Sequence, residues 1–310
     1  MSRVLALAGP TAAGKSALAA LLHERLPIEI VSVDSTQVYR GFDIGSAKPD
    51  AAERARIAHH LLDLREPGQH YSAGDFVLDA RRAIEDIQAR GRVALLVGGT
   101  MLYFRALLRG MARLPTASAA IRREIDDQAA LRGWSALHSE LATVDPAAAA
   151  TIHPNDAQRI QRALEVYRIS GEPISLWQQR TPAPVVQASG QWALVPQDRP
   201  LLRRRIEARF DAMLAAGLVA EVKALRDHRH LTGAEPALRA VGYRQLWRHL
   251  AGELSLAEAR EQAITASWQL ARRQLTWLRS EPEWQAVDPQ SIAAREHWLE
   301  TVVAMTRQLR

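Results

Sequence analysis

Residues 9–16 read GPTAAGKS, a complete phosphate-binding loop. Gly9 and Gly14 allow backbone conformations that point successive N–H groups at an anion, and a helix predicted behind the loop adds the positive end of its dipole. Lys15 supplies a mobile positive charge, and Ser16 offers a hydroxyl to Mg²⁺. The pattern predicts a phosphate site, of unspecified ligand, at Gly9, Pro10, Thr11, Ala12, Ala13, Gly14, Lys15 and Ser16.

The chain does not carry the acidic pair that ends a later strand in ATP-hydrolysing enzymes with this loop. A phosphate-binding loop without these two carboxylates indicates that the bound phosphates are not hydrolysed as they are in ATP-hydrolysing enzymes. We expect them to be the leaving group of a substrate, which the loop neutralises and releases, and not a fuel.

Two further polar residues follow predicted strands. Strand 28–33 ends in Asp34, and strand 93–97 is followed by two glycines and Thr100. Because ligands of parallel sheets bind outside the carboxyl ends of the strands, both residues should face the phosphate loop. Asp34 could bind Mg²⁺, accept a proton from a nucleophile, or cap the next segment. Thr100 could cap a helix or donate a hydrogen bond to a leaving oxygen.

The elements that would position these residues alternate between strands and helices over about the first 110 residues. Strands are predicted over 4–8, 28–33 and 93–97, and helices over 17–22 and 71–90. Residues 119–170 are typical of helices throughout, at 121–131, 135–142 and 157–170, with breaks at Pro146 and Pro154. A strand at 191–195 then returns to the sheet, followed by helices at 200–216, 218–226, 241–250 and 255–278 and one after Asp288.

These patterns predict an α/β protein with a P-loop NTPase-like parallel sheet flanked by helices and a small all-helical insertion domain. The core is expected at 1–112 and 190–310, and the insertion, which we expect to contact a polyanionic partner, at 113–189. A length of 310 residues suits a core domain with an insertion.

The amino-acid composition excludes several kinds of site. The chain has no cysteine, which excludes disulfides, thiol nucleophiles and cysteine metal sites. It shows no signal peptide and no long apolar run, so we expect a cytoplasmic protein without membrane attachment.

The net charge is +6, and residues 151–310 contain 22 basic and 17 acidic side chains, so most of the excess lies in the second half. This favours a polyanionic partner there. Three arginine clusters stand out, the last two with aromatic neighbours: 203–205 with Arg209, Arg239 with Arg244, and 272–273 with Arg279. Arginine beside aromatics suits RNA phosphates and unstacked bases, although solvated helix faces give the same pattern.

His153 opens a turn in which Asp156 can cap the following helix. Because no second metal ligand lies at a suitable spacing, we expect a turn histidine bonded to local backbone and no zinc site. Gln158, Arg159 and Arg162 lie on the first turns of the helix and could reach across a cleft.

Seven segments in order resemble the motif series of bacterial tRNA dimethylallyltransferases. They are GPTAAGKS (9–16), VSVDSTQVY (31–39), DIGSAKP (43–49), VGGTMLY (97–103), HPND with QRIQR (153–162), VGYR (241–244) and RQLTWLR (273–279). The resemblance covers nearly the whole chain.

The resemblance implies transfer of the dimethylallyl group of dimethylallyl diphosphate to N6 of the adenosine just 3′ of the tRNA anticodon, with Mg²⁺ assisting and diphosphate released. Asp34 would be the general base, Thr100 would contact the bridging oxygen, and Lys15 would stabilise the departing charge. We expect no ATP turnover, and a monomer.

The resemblance also places residues along the tRNA, with the flipped-out adenine beside 34–37. They are Asp34, Ser35, Thr36, Gln37, Thr100, Arg122, Gln158, Arg159, Ile160, Gln161, Arg162, Arg239, Ala240, Val241, Gly242, Tyr243, Arg244, Arg272, Arg273, Gln274, Leu275, Thr276, Trp277, Leu278 and Arg279.

Two alternatives differ in what they predict. A small-molecule or nucleoside kinase shares the loop and a helical lid, and would transfer phosphate from a nucleotide. A non-catalytic RNA-binding module accounts for the basic second half, but it leaves Lys15 and Asp34 without a role.

Overall fold

The computed structural model describes residues 3–180, 183–228 and 231–308. The strands are β1 (Val4–Ala8), β2 (Ile28–Val33), β3 (His59–His60), β4 (Val93–Gly98), β5 (Gly190–Leu194) and β6 (Gln285–Val287). The helices are α1 (Lys15–His23), α2 (Ala51–Arg56), α3 (Ala73–Ala89), α4 (Met101–Arg109), α5 (Ala119–Arg132), α6 (Trp134–Val144), α7 (Pro146–Thr151), α8 (Ala157–Ser170), α9 (Ile174–Gln179), α10 (Arg199–Ala215), α11 (Leu218–His228), α12 (Tyr243–Leu250), α13 (Leu256–Arg279) and α14 (Ile292–Gln308), with a 3₁₀ helix at Pro236–Arg239.

The six strands form one parallel sheet in the order β3-β2-β4-β1-β5-β6. Every residue of β1, β2 and β4 is buried, as expected for parallel strands covered by helices on both faces. The register pairs Gly98 with both Ala8 and Val33, so β1, β2 and β4 end at the same edge of the sheet. That edge is where the phosphate loop and Asp34 follow their strands.

The described chain divides into two compact units. The first contains residues up to Leu108 and from Val185 onward, and the second is Arg109–Pro184. The sequence placed the insertion at 113–189, so each observed limit lies a few residues earlier. The prediction of an α/β protein with a parallel sheet flanked by helices is confirmed.

Successive side chains of a strand point to opposite faces of the sheet, so the first unit has one hydrophobic core on each face. Val4, Ala6 and Ala8 pack with α3 and α4, whereas Leu5 and Leu7 pack with α1 and α14. A third core joins the segment after β2 to α10–α13, where the rings of Phe42 and Tyr243 have centroids 4.3 Å apart. This third core fixes the loop 43–48 beside the sheet edge.

The second unit is built around Ile125, Leu137, Leu141 and Ile160. Its helix α7 starts at Pro146, where Asp145 accepts a hydrogen bond from the N–H of Ala148. The helical run is interrupted before Pro146, as predicted, because α6 ends at Val144. Pro146 itself occupies the first position of the next helix, where no N–H donor is needed.

The long periodic segments were predicted within one to four residues, and α8 was predicted at its observed bounds. The sequence missed α2, β3, α4, α7, α9, the 3₁₀ helix and β6. Among the described residues, no helix is long and apolar enough to cross a bilayer.

Candidate active site

The loop between β1 and α1 has the backbone shape of an anion cradle. Ala12 and Gly14 adopt left-handed conformations, with φ of 61° and 93°. Glycine is also required at position 9, because a Cβ there would lie 2.9 Å from the Leu194 Cβ. Since the first N–H groups of a helix have no intrahelical partner, the start of α1 presents donors to an anion.

Lys15 lies over this loop and is bonded to it. Its Nζ donates to the carbonyl oxygens of Gly9 and Pro10, each at 2.9 Å. Burial, followed by repulsion from Arg209, lowers the pKa of Lys15 to about 8, and attraction to Asp34 offsets part of that shift. An anion arriving in the loop would stabilise the charged form of Lys15.

Asp34 follows β2 and lines the same cavity as Lys15. Its Oδ1 accepts hydrogen bonds from the N–H groups of Thr36, at 2.8 Å, and Gln37, at 3.3 Å. The capping and active-site interpretations are therefore compatible, because the cap holds the carboxylate beside the loop.

Thr100 begins the turn into α4 and is tied to the segment after β2. Its N–H donates to the carbonyl oxygen of Val33 at 3.2 Å, and its Oγ1 accepts from the N–H of Ser35 at 3.1 Å. The Thr100 hydroxyl points to Ser35 Oγ at 3.5 Å, which is at the limit of a hydrogen bond, so it can rotate toward a ligand at little cost.

The cavity at the sheet edge has a volume of about 640 Å³. Its walls combine the phosphate loop, the carboxylate of Asp34, apolar side chains such as Ile30 and Val241, and several cations. It can hold a ligand with an anionic head and an apolar body next to a carboxylate.

Arg209 is a cavity residue whose role the sequence did not identify. It lines the cavity together with Arg205, and the two residues share a face of α10 because they are four positions apart. Burial lowers the pKa of Arg209, while the charge of Asp34 raises it. The spacing of Arg205 and Arg209 was visible, but their meeting with Lys15 depends on tertiary packing.

The side chain of Gln37 is fixed at the cavity wall. It donates to the carbonyl oxygens of Ser46, at 3.2 Å, and Ala47, at 3.1 Å, and accepts from Ser32 Oγ at 2.7 Å. Both of its amide hydrogens are therefore committed to the loop that carries Ser46.

Glu221 holds the same loop from α11. It accepts hydrogen bonds from the N–H groups of Asp43, Ile44 and Gly45, and from the Tyr243 hydroxyl at 2.6 Å. Sequence reasoning missed Glu221, because no local pattern distinguishes it from a solvated helix residue.

The predicted RNA-contacting segments contain both exposed and buried side chains. The exposed ones are Ser35, Gln158, Arg159, Arg239, Arg244, Arg272, Arg273, Thr276 and Arg279. The prediction needs correction at Ile160, Tyr243, Leu275 and Leu278, which are at most 5% exposed and pack in hydrophobic cores. Their side chains cannot contact RNA without opening those cores, so they support the neighbouring exposed residues.

Within the second unit, two predicted RNA-contacting arginines are ion-paired. Arg122 and Arg162 both bond to the fully buried Glu165, at 2.9 Å and 2.6 Å. Burial by itself would raise the pKa of Glu165, but hydrogen bonds from both arginines and the Ser118 N–H lower it. Glu165 therefore orients the two guanidinium groups.

His153 is a turn residue, as predicted. Its Nδ1 accepts the N–H of Asn155 at 3.1 Å, and Asp156 caps α8 by accepting the N–H of Arg159 at 3.2 Å. The local backbone satisfies His153.

The chemistry of the cavity fits a Mg²⁺ that arrives with its substrate. Ser16 is exposed on the first turn of α1, where its hydroxyl can coordinate a cation bound to phosphate. Among the described residues, no group of three or more His, Cys, Asp or Glu side chains could hold a metal ion. A Mg²⁺ here would take its other ligands from phosphate oxygens and water, which is its usual preference.

The chain is similar to known proteins in sequence and in structure. The sequence model of the IPP transferase family matches residues 37–281. A tRNA dimethylallyltransferase of Thiobacillus denitrificans is 58% identical over 276 residues, which cover 89% of this chain and 88% of the relative.

Two solved structures share the fold. The tRNA isopentenylpyrophosphate transferase of Bacillus halodurans has a TM-score of 0.72 and 33% identity, covering 99% of this chain and 98% of that one. A eukaryotic dimethylallyltransferase acting on tRNA has a TM-score of 0.77 and 25% identity, covering 94% and 75%. The chain described here therefore belongs to the IPP transferase family.

Proposed function

We propose that this protein transfers the dimethylallyl group of dimethylallyl diphosphate to N6 of the adenosine 3′-adjacent to the tRNA anticodon, releasing diphosphate. One observation carries the proposal: a single cavity is lined by a phosphate loop with its lysine, by an apolar wall and by a carboxylate. These surfaces match the diphosphate, the prenyl group and the nucleophile.

The reaction exchanges one bond for another. The N6 nitrogen forms a bond to the allylic C1 as the bond from C1 to the diphosphate oxygen breaks. The lone pair of N6 is delocalised into the ring, so attack is effective only if the proton leaves as the new bond forms. Asp34 accepts that proton.

Departure of the diphosphate leaves positive charge on the allyl group and negative charge on oxygen. The N–H groups at the start of α1, Lys15 and Arg209 stabilise the diphosphate, and the Thr100 hydroxyl donates to the bridging oxygen. A Mg²⁺ held by Ser16 and the diphosphate would neutralise further charge.

The RNA partner engages the exposed arginines of the predicted segments. Arg239 and Arg244 flank Ala240 and Val241, which line the cavity. An adenine that has left its stack would therefore meet basic residues beside the cavity. The anticodon stem-loop contacts five residues of the second unit, namely Arg122, Gln158, Arg159, Gln161 and Arg162.

The proposal is tested by incubating the protein with unmodified tRNA and dimethylallyl diphosphate labelled in the prenyl group, in parallel with labelled ATP. Label should enter the RNA only from dimethylallyl diphosphate and should be recovered as N6-dimethylallyladenosine. Phosphate transfer from ATP to any acceptor would support a kinase, and RNA binding without transfer would support a binding module.

A further inference from the structure

Gln274 lies in α13 and is 8% exposed. Its Oε1 accepts a hydrogen bond from the main-chain N–H of Thr11 at 3.0 Å, and its Nε2 donates to the carbonyl oxygen of Gly99 at 2.9 Å. Because a buried amide is costly unless it is paired, these bonds fix the orientation of the side chain. Gln274 connects α13 to two loops of the cavity.

The two loops leave adjacent strands of the sheet. Thr11 belongs to the loop after β1 and Gly99 to the loop after β4, at 263 and 175 residues from Gln274. A Cβ at position 99 would overlap Gln274 Nε2, so the glycine there gives the Gln274 amide room to reach the Gly99 carbonyl. The bridge is a tertiary feature of the site and not a local helix contact.

The two hydrogen bonds of Gln274 form a bridge between the loops. On the diphosphate side, this bridge occupies one hydrogen-bond donor of the phosphate loop. The N–H of Thr11 points to Gln274, so an anion is bound by other N–H groups of the loop and by those at the start of α1. Holding Thr11 fixes the beginning of the loop that ends at Lys15 and Ser16. A cradle fixed in advance stabilises the departing charge without reorganisation.

On the other side, the bridge reaches the peptide that precedes Thr100. Fixing the carbonyl of Gly99 restrains Thr100, whose Oγ1 already accepts the N–H of Ser35. The position of the Thr100 hydroxyl relative to the phosphate loop is therefore set from α13.

We propose that Gln274 is a positioning residue for prenyl transfer, holding the diphosphate loop and the Thr100 loop in one arrangement, and that it does not contact RNA. This rests on the proposed function and assigns Gln274 to the diphosphate half of the reaction. Its neighbours Arg273 and Thr276, exposed on α13, keep the assignment to RNA.

The first test is Gln274→Met in the full chain, which keeps the length of the side chain and removes both hydrogen bonds. The kcat/KM for dimethylallyl diphosphate and the affinity for inorganic diphosphate should each fall roughly tenfold to hundredfold. Affinity for an unmodified anticodon stem-loop should not change. Gln285→Met is the matched control, because it removes only the acceptor of the Trp192 indole N–H, at 3.1 Å, and touches neither loop.

Gln274→Glu tests the positioning role through the pH dependence of activity, which a purely structural role would leave unchanged. The ionised carboxylate can accept from Thr11 but repels the carbonyl oxygen of Gly99, whereas the protonated acid can donate to it, as the amide does. Activity relative to wild type should therefore rise as pH falls through the pKa of the introduced carboxyl. The same ratio for Gln274→Met should stay flat with pH.

Wild-type diphosphate affinity and kcat/KM in Gln274→Met would overturn the proposal. Loss of RNA affinity with unchanged diphosphate affinity would also overturn it and would return Gln274 to RNA contact. If Gln274→Met does not fold, a pH-independent ratio for Gln274→Glu counts against the proposal. If the wild-type protein shows no prenyl transfer while diphosphate affinity still depends on Gln274, the proposed function fails and the positioning role stands.

Discussion

The main-chain N–H of Ser35 donates a hydrogen bond to Thr100 Oγ1 across 3.1 Å. This bond joins the residue after Asp34 to the residue after Gly98, the last residue of β4, and Gly99. It keeps the proposed base and the proposed donor to the leaving oxygen in a fixed relation, although the two residues are far apart along the chain.

Thr100→Val should remove both the acceptor for Ser35 and the donor to the bridging oxygen. We expect kcat to fall roughly tenfold or more, since a donor aimed at developing charge is lost. Thr100→Ser keeps the hydroxyl and should recover most of the rate. Single-turnover transfer with saturating substrates measures the effect, and equal rates for the Val and Ser variants would remove the hydroxyl from the mechanism.

Binding of dimethylallyl diphosphate without tRNA should depend on the charge of Lys15. The pKa of Lys15 is about 8 in the free protein, because of burial and then Arg209, and a bound diphosphate favours the charged form and raises it. Affinity should be steady below pH 8 and decrease by up to about tenfold per pH unit above it.

Calorimetric titration between pH 7 and 9.5 measures this dependence, and buffers of different ionisation heat report the proton taken up above pH 8. Lys15→Met should bind more weakly and lose the dependence. A wild-type affinity that does not change across this range would show that Lys15 does not bind the diphosphate.

Arg209→Met should act on both the diphosphate and Lys15. Losing a charged donor should lower diphosphate affinity at pH 7 roughly tenfold to hundredfold. Because Arg209 lowers the pKa of Lys15, its removal should also shift the pH midpoint of binding above 8. Arg203→Met on the same helix is the control, since Arg203 is exposed and pairs with Glu207 at 3.5 Å. An unshifted midpoint in Arg209→Met contradicts the coupling of the two cations.

Glu165→Gln should destabilise the second unit and weaken tRNA binding, leaving diphosphate affinity unchanged. Arg122 and Arg162 are 39% and 28% exposed and stay partly solvated after the change, so we expect a loss of about 1–3 kcal/mol in the free energy of unfolding. Glu172→Gln, which breaks the exposed pair with Arg180, should cost at most about 0.5 kcal/mol.

The same carboxyl predicts a pH dependence of stability. Hydrogen bonds hold the folded-state pKa of Glu165 below its ordinary value, so its contribution is present above the unfolded pKa of about 4.3 and is lost as pH falls through the folded value. Denaturant unfolding between pH 3 and 6.5 should show a wild-type advantage over Glu165→Gln that disappears at the acid end. A stability advantage of the wild type that grows as pH falls would contradict a lowered pKa of Glu165.

The sequence predicted the elements that have long periodic patterns, such as α3, α8 and α13, because burial of one helix face leaves a clear signal. It missed β3 and β6, which have two and three residues, because so few positions carry no period. Their place in the sheet is set by neighbouring strands.

The site was only partly predictable, for a related reason. A motif names consecutive residues, but a helix turns them to different sides. Arg273 is exposed, and Gln274 beside it is buried against two loops of the cavity. Arg209 and Glu221 act through contacts with distant segments, which no local pattern shows. The phosphate loop and Asp34 could be predicted from the sequence because their residue types and spacing form local patterns.

The most direct measurement is a rapid-quench single turnover by Asp34→Asn with tRNA and labelled dimethylallyl diphosphate. Asparagine keeps the oxygen that accepts the N–H groups of Thr36 and Gln37, so folding and both affinities should be retained. Transfer of label to RNA should slow by about a hundredfold or more, because the proton of N6 has no base to accept it. Transfer at the wild-type rate, with both substrates bound, would contradict the account.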